Sequence, residues 1–86
     1  MPRLSEFYGI TIYMYFSDHN PPHFHAIYGK AESLFAIDPV SEITGNLPGR
    51  AATMVLEWAR LHKDELRANW MLLRTAQAPN NIQPLN

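Results

Sequence analysis

The sequence predicts an α+β fold: an antiparallel meander of three or four strands, followed by two helices packed on one of its faces. Three observations predict it. Apolar residues recur at every second position in "YGITIYMYF". Prolines and glycines then cut the chain into short extended runs, and from Pro48 onward the apolar period becomes helical. The 86 residues suit one domain, residues 1–86, with a single core, near the lower end of what folds without staples.

The first strand, residues 9–16, places Ile10, Ile12, Met14 and Phe16 on one face and Thr11, Tyr13 and Tyr15 on the other. Such β-branched and aromatic residues fit a pleated, half-buried surface. "SDHNPP" ends the strand, because Asn-Pro initiates a turn and Pro22 holds the next segment extended. Residues 23–28 form the second strand, Gly29-Lys30 a turn, and residues 32–38 a third strand stopped by Pro39. Residues 40–45 suit a fourth, shorter strand or an irregular turn. In residues 48–61, Ala51, Val55 and Trp58 fall on one helical stripe, which His62, Leu66, Trp70 and Leu73 could continue. One unbroken helix would span roughly 45 Å at 1.5 Å per residue, too long for so small a sheet to cover. A break near His62 is therefore expected, with Asp64 and Glu65 in the first turn of a second helix over residues 63–77. The tail, residues 78–86, is extended and can dock through Ile82 and Leu85. Ile12, Met14, Phe24, Phe35, Val55, Trp58, Leu66 and Trp70 are the expected buried set, with the two tryptophans as core anchors.

The composition excludes several function classes. There is no cysteine, hence no disulfide framework and no thiolate metal site, which fits a cytoplasmic location. No apolar run reaches the roughly 18 residues of a membrane span. A formal charge of −1 argues against nucleic acid as the main ligand, because domains that grip it are usually basic.

The segment "DHNPPHFHAIY", residues 18–28, holds three of the four histidines. Strand alternation puts His23, His25 and Ile27 on one face and Phe24, Ala26 and Tyr28 on the other. The core should take Phe24 and Ala26. The opposite face then collects Tyr13, Tyr15, His23, His25 and Glu32, provided the turn sets the histidines beside the tyrosines rather than beside Met14. A slip of one residue would reverse this, and the more uniformly apolar core face favours the tyrosine register.

Three readings compete for that face. No metal is expected; if one binds, His23 and His25 would hold it with His19, and Asp18 or Glu32 would orient a ring. In an acid–base reading, a histidine beside a tyrosine or Glu32 moves protons. In the plain structural reading the imidazoles satisfy the turn and nearby hydroxyls, and short His-x-His strings most often mean no more than this. No nucleophile motif or glycine-rich phosphate loop supports a named enzyme class, and whether the protein is an enzyme stays open.

"FYGITIYMYFSDHNPPHFHAIYG", the Leu47-Pro48 pair and "VLEWARLHKDELRANW" closely resemble small bacterial proteins of the family called domain of unknown function 4160. The resemblance runs from Met1 to about Gln77. Its motif positions here are His19, Pro21, Pro22, His23, Phe24, His25, Tyr28, Gly29, Trp58, Glu65, Leu66 and Trp70, none with a proven catalytic role in the family. Many members carry Asn where this chain has His62, which as a poorer N-cap makes the helix break less secure. The resemblance also implies a neighbouring gene for a second small protein, of domain of unknown function 2442, the two forming a toxin–antitoxin-like pair.

The leading expectation is accordingly a protein-binding module in such a two-gene system, engaging a small protein partner or a second copy of itself. The alternative is a His-dependent hydrolase or ribonuclease toxin, with or without a metal. Two surfaces are candidates for a partner. Arg60, Lys63 and Arg67, with Arg74, would line one stripe of a continuous helix, although charges of this density more often mean an ordinary solvated face. The third strand, "SLFAI", is uncharged and would suit an open sheet edge, with Leu34 pointing away from the helices.

Overall fold

The computed structural model describes residues 2–86. Five strands come first, β1 (Arg3–Phe7), β2 (Ile10–Tyr13), β3 (His23–Tyr28), β4 (Ala31–Ile37) and β5 (Val40–Gly45). Two helices follow, α1 (Gly49–Leu61) and α2 (Lys63–Arg74). The strands form one antiparallel sheet in the order β1-β2-β3-β4-β5. The fold is α+β, with five strands rather than three or four.

The additional strand is β1. It joins β2 through Tyr8 and Gly9, whose φ values of 51° and 81° give both central residues the left-handed conformation of a two-residue hairpin turn. The β2 strand is shorter than expected. It stops at Tyr13, and Phe16 is not a core residue but half exposed, at 50%.

The core lies between one sheet face and the helices. Ile10, Ile12, Met14, Phe24, Phe35 and Ile37 are fully buried on the sheet side, and Val55, Trp58, Leu66, Trp70 and Leu73 close over them from α1 and α2. The Trp58 ring packs 5.4 Å from that of Phe7 and edge-on to Phe24 at 5.8 Å. Burying a side chain of this size typically stabilises by about 3–5 kcal/mol relative to alanine.

His62 separates the helices without a loop. Its φ of −119° and ψ of 25° lie outside the helical region, yet its N–H bonds the carbonyls of Trp58 and Ala59 while its own carbonyl accepts from Leu66. It thus ends one helix and starts the next. The ring gives no backbone cap; Nδ1 instead lies 2.6 Å from the Glu65 carboxylate.

The second helix ends at Arg74, three residues earlier than expected. The N–H of Ala76 bonds the carbonyl of Leu73, that of Gln77 bonds Leu72, and Ala76 has φ 59°. This is a Schellman ending, hidden in the sequence because alanine stands where glycine usually does.

The tail folds back along β1. Ile82 N–H donates to the Leu4 carbonyl at 2.8 Å, Trp58 Nε1–H donates to Gln83, and the buried Asn69 amide both donates to and accepts from the backbone of Asn80.

Candidate functional site

The histidine site is built from β3 and the loop before it. β2 and β3 pair with Ile12 opposite Ala26 and Tyr13 opposite His25, which is the tyrosine register. The buried pair Phe24 and Ala26 fixes the parity of the strand, and His23 and His25 therefore face the other way.

Loop geometry then brings in Asp18. Its carboxylate accepts the Tyr15 backbone N–H at 3.1 Å, which turns the side chain back toward the strand. Both its oxygens lie 3.3 Å from His25 Nε2, and Oδ1 lies 3.6 Å from His23 Nε2. Nδ1 of His23 is 2.8 Å from the Pro21 carbonyl, and Nδ1 of His25 is 3.0 Å from a Glu32 carboxylate oxygen. The side chains of Asp18, His23 and His25 are 13–14% exposed, whereas Glu32 is half exposed.

Aromatic contacts frame the group. Tyr15 meets the His25 ring edge-on at 4.4 Å and stacks 6.2 Å from Tyr13, while His23 lies 5.4 Å from Trp70. Arg74, the last residue of α2, sits 3.9 Å over the Trp70 ring and donates to the carbonyls of Tyr15, Phe16 and Asp18. The end of α2 thus holds the loop that carries Asp18. Burial, reinforced by the charges of Glu32, Tyr13 and Asp18, raises the Tyr15 phenol above its ordinary value of 10.0. Tyr15 is a neutral hydroxyl near pH 7, suited to donate a hydrogen bond rather than to accept a proton.

Of the residues singled out from sequence, Tyr13, Tyr15, His23, His25 and Glu32 come together. His19 does not: it is exposed in the loop, and the side chain that converges on the two rings belongs to Asp18. Asp18, expected only to orient a ring, thus stands at the centre of the group, and Arg74, expected on a basic surface stripe, clamps the loop instead. Neither the loop position of Asp18 nor the helix-end position of Arg74 carries a mark of its contact.

The expected partner surfaces also change. β4 is an interior strand, so Leu34 is not on an edge; it lies between His25 of β3 and Thr44 of β5. The open edge is β5, whose residues are mostly exposed, with Ile43 at 49%. The basic stripe is divided by the break at His62. Lys63 and Arg67 both bind Asp38, at 2.9 and 2.8 Å, Arg67 also reaches Asp64, and Arg74 turns onto the loop. Arg60 remains exposed. Asp38, exposed but held by hydrogen bonds from Lys63 and then Arg67, titrates below the ordinary carboxylate range.

A separate apolar cavity of about 500 Å³ lies between Tyr8, Tyr28, Pro48, Arg50, Ala51 and Met54, at the start of α1 and away from the histidines. No helix among the described residues is long and apolar enough to cross a membrane.

No curated protein and no solved structure matches the chain. Residues 9–71 match the family model described as Domain of unknown function (DUF4160). The matched span contains β2 to β5, α1 and most of α2, together with Tyr13, Tyr15, Asp18, His23, His25, Glu32 and Trp70 of the histidine site but not Arg74, and the chain belongs to this family.

Proposed function

We propose that this protein is a protein-binding module that receives an extended segment of a small partner protein on the edge of β5. The observation that carries the reading is the edge itself. β5 ends the sheet, its six residues are largely exposed, and the apolar Ile43 lies on it. An unpaired edge offers backbone donors and acceptors to an incoming strand, while side-chain pockets select its sequence. The partner proposed is the domain of unknown function 2442 protein that the family resemblance implies in a neighbouring gene, the two acting as a toxin–antitoxin-like pair. Membership of the family supports that choice.

The test is capture of the neighbouring gene product by the purified chain, with and without Ile43→Lys. The lysine should abolish capture while leaving the melting curve nearly unchanged, since Ile43 is half exposed and a charge blunts an edge. A wild-type chain that sediments as a monomer at high concentration and captures nothing would overturn the reading.

A second reading, a His-dependent hydrolase or ribonuclease, is favoured by His25, which lies between the carboxylates of Asp18 and Glu32 beside a neutral phenol. Hydrolysis of RNA by the wild type but not by His25→Ala would select it.

A further inference from the structure

We infer that Asp18, His23 and His25 form a binding site for one divalent first-row transition-metal ion, with zinc as the best-fitting representative. The inference stands apart from the strand-edge reading, and neither depends on the other. It begins from where the ring hydrogens must be. The Pro21 carbonyl carries only lone pairs, so His23 Nδ1, 2.8 Å away, is the donor in that contact. The Glu32 carboxylate makes His25 Nδ1, at 3.0 Å, a donor in the same way. In its neutral form each ring, with Nδ1 protonated, carries its lone pair on Nε2. Both Nε2 atoms face Asp18, itself acceptor-only when ionised.

Three acceptor atoms on three residues thus converge, all within 4.8 Å of one another. Their lone pairs repel one another, and positive charge placed between them, a metal ion or a proton on a ring nitrogen, relieves that repulsion. The spacing suits a metal ion: ligands placed tetrahedrally at 2.0–2.1 Å from zinc lie roughly 3.3–3.4 Å apart. The two histidine nitrogens lie 3.3 and 3.6 Å from Asp18 oxygens.

The surroundings match those of metal ligands. A histidine bound to metal characteristically donates its other ring N–H to a carboxylate or a backbone carbonyl. His25 has the first kind of acceptor and His23 the second. Asp18 is fixed by the Tyr15 N–H, and its loop by Arg74. Two nitrogens and one carboxylate form a borderline donor set, which selects zinc, iron(II), cobalt or nickel over calcium and magnesium. Three protein ligands with side chains 13–14% exposed leave coordination positions for water or an incoming ligand. Glu32 is a positioning residue, acting on the metal only through the His25 ring.

The experiment is calorimetric titration of zinc into the full chain, prepared without a His-tag and freed of metal by chelator, with cobalt(II) as a spectroscopic probe. One equivalent should bind, raise the melting temperature, and give cobalt the visible spectrum of a low-coordinate nitrogen–oxygen site. Asp18→Asn and His25→Gln should each abolish that binding. Glu32→Ala should weaken it about 10–100-fold, the usual effect of removing such an orienting partner. Glu32→Gln, which keeps an acceptor for the ring N–H, should recover most of the loss. His19→Ala should change nothing.

A wild-type chain that takes up no stoichiometric zinc or cobalt overturns the inference, and so does binding that His19→Ala reduces as much as His25→Gln. If a site variant fails to fold, the wild-type stoichiometry and the cobalt spectrum decide alone.

Discussion

Asp38 shows how much a single exposed carboxylate can tie together. It follows the sheet's fourth strand, in the turn into β5, and both Lys63 and Arg67 of α2 bind it. Because its pKa is lowered in the folded chain, it contributes stability that is present above the unfolded carboxylate value. That contribution disappears as the pH falls through the lowered folded value. Asp38→Asn should therefore lower the melting temperature at neutral pH, and the two proteins should converge in strong acid. A difference that persists undiminished at the acid end would show that the effect is steric. Since the group is exposed, the neutral-pH difference should be small. At this same scale the histidine face was legible from the sequence, because strand alternation alone separates His23 and His25 from Phe24 and Ala26. Asp18 was not. Whether Asp18 or His19 turns inward depends on a hydrogen bond from the Tyr15 backbone, and neither residue type predicts that.

Among the elements, those with strong periods were readable and those defined by unusual backbone were not. The α1 stripe, the break at His62 and the β3 strand follow from apolar spacing and local composition. β1 was hidden for two reasons. Its turn uses Tyr8 at positive φ, where Asn or Asp would have announced a hairpin, and the register shift between Arg3 and Ser5 buries Leu4 and Ser5 in succession. At the other side of the sheet, β5 depends on Gly45. A Cβ there would lie 2.3 Å from the Ser33 Cα, and φ is 130°. Gly45→Ala must push β5 from β4, and overpacking of this kind costs about 1–3 kcal/mol. Thermal melts should show a drop of several degrees, together with faster amide exchange in β5 than in β2 and β3. Unchanged exchange there would mean that the strand end yields without cost.

The whole molecule is a five-stranded sheet with two different margins. At one, β5 is bare. At the other, the tail lies against Leu4 and is secured by Trp58, by Ile82 and by the reciprocal amide contacts of Asn69 with Asn80. Asn69 is 1% exposed, and its buried amide is satisfied only while the tail is in place. Removing residues 79–86 would leave that amide and the Leu4 carbonyl without partners, each a loss of about 1–3 kcal/mol when buried. The truncated chain should melt well below the full one.

The seated tail also limits how copies of this molecule can join. A sheet with two bare margins can add neighbours at both, and the series never closes. A sheet with one bare margin can meet a second copy only through like surfaces related by a two-fold axis, and growth stops at two. The tail is in this sense a terminator of polymerisation. In sedimentation, the truncated chain should form a ladder of larger species at concentrations where the full chain yields monomer and dimer alone. A truncated chain with the same size distribution as the full one would show that β1 is blunted by something other than the tail.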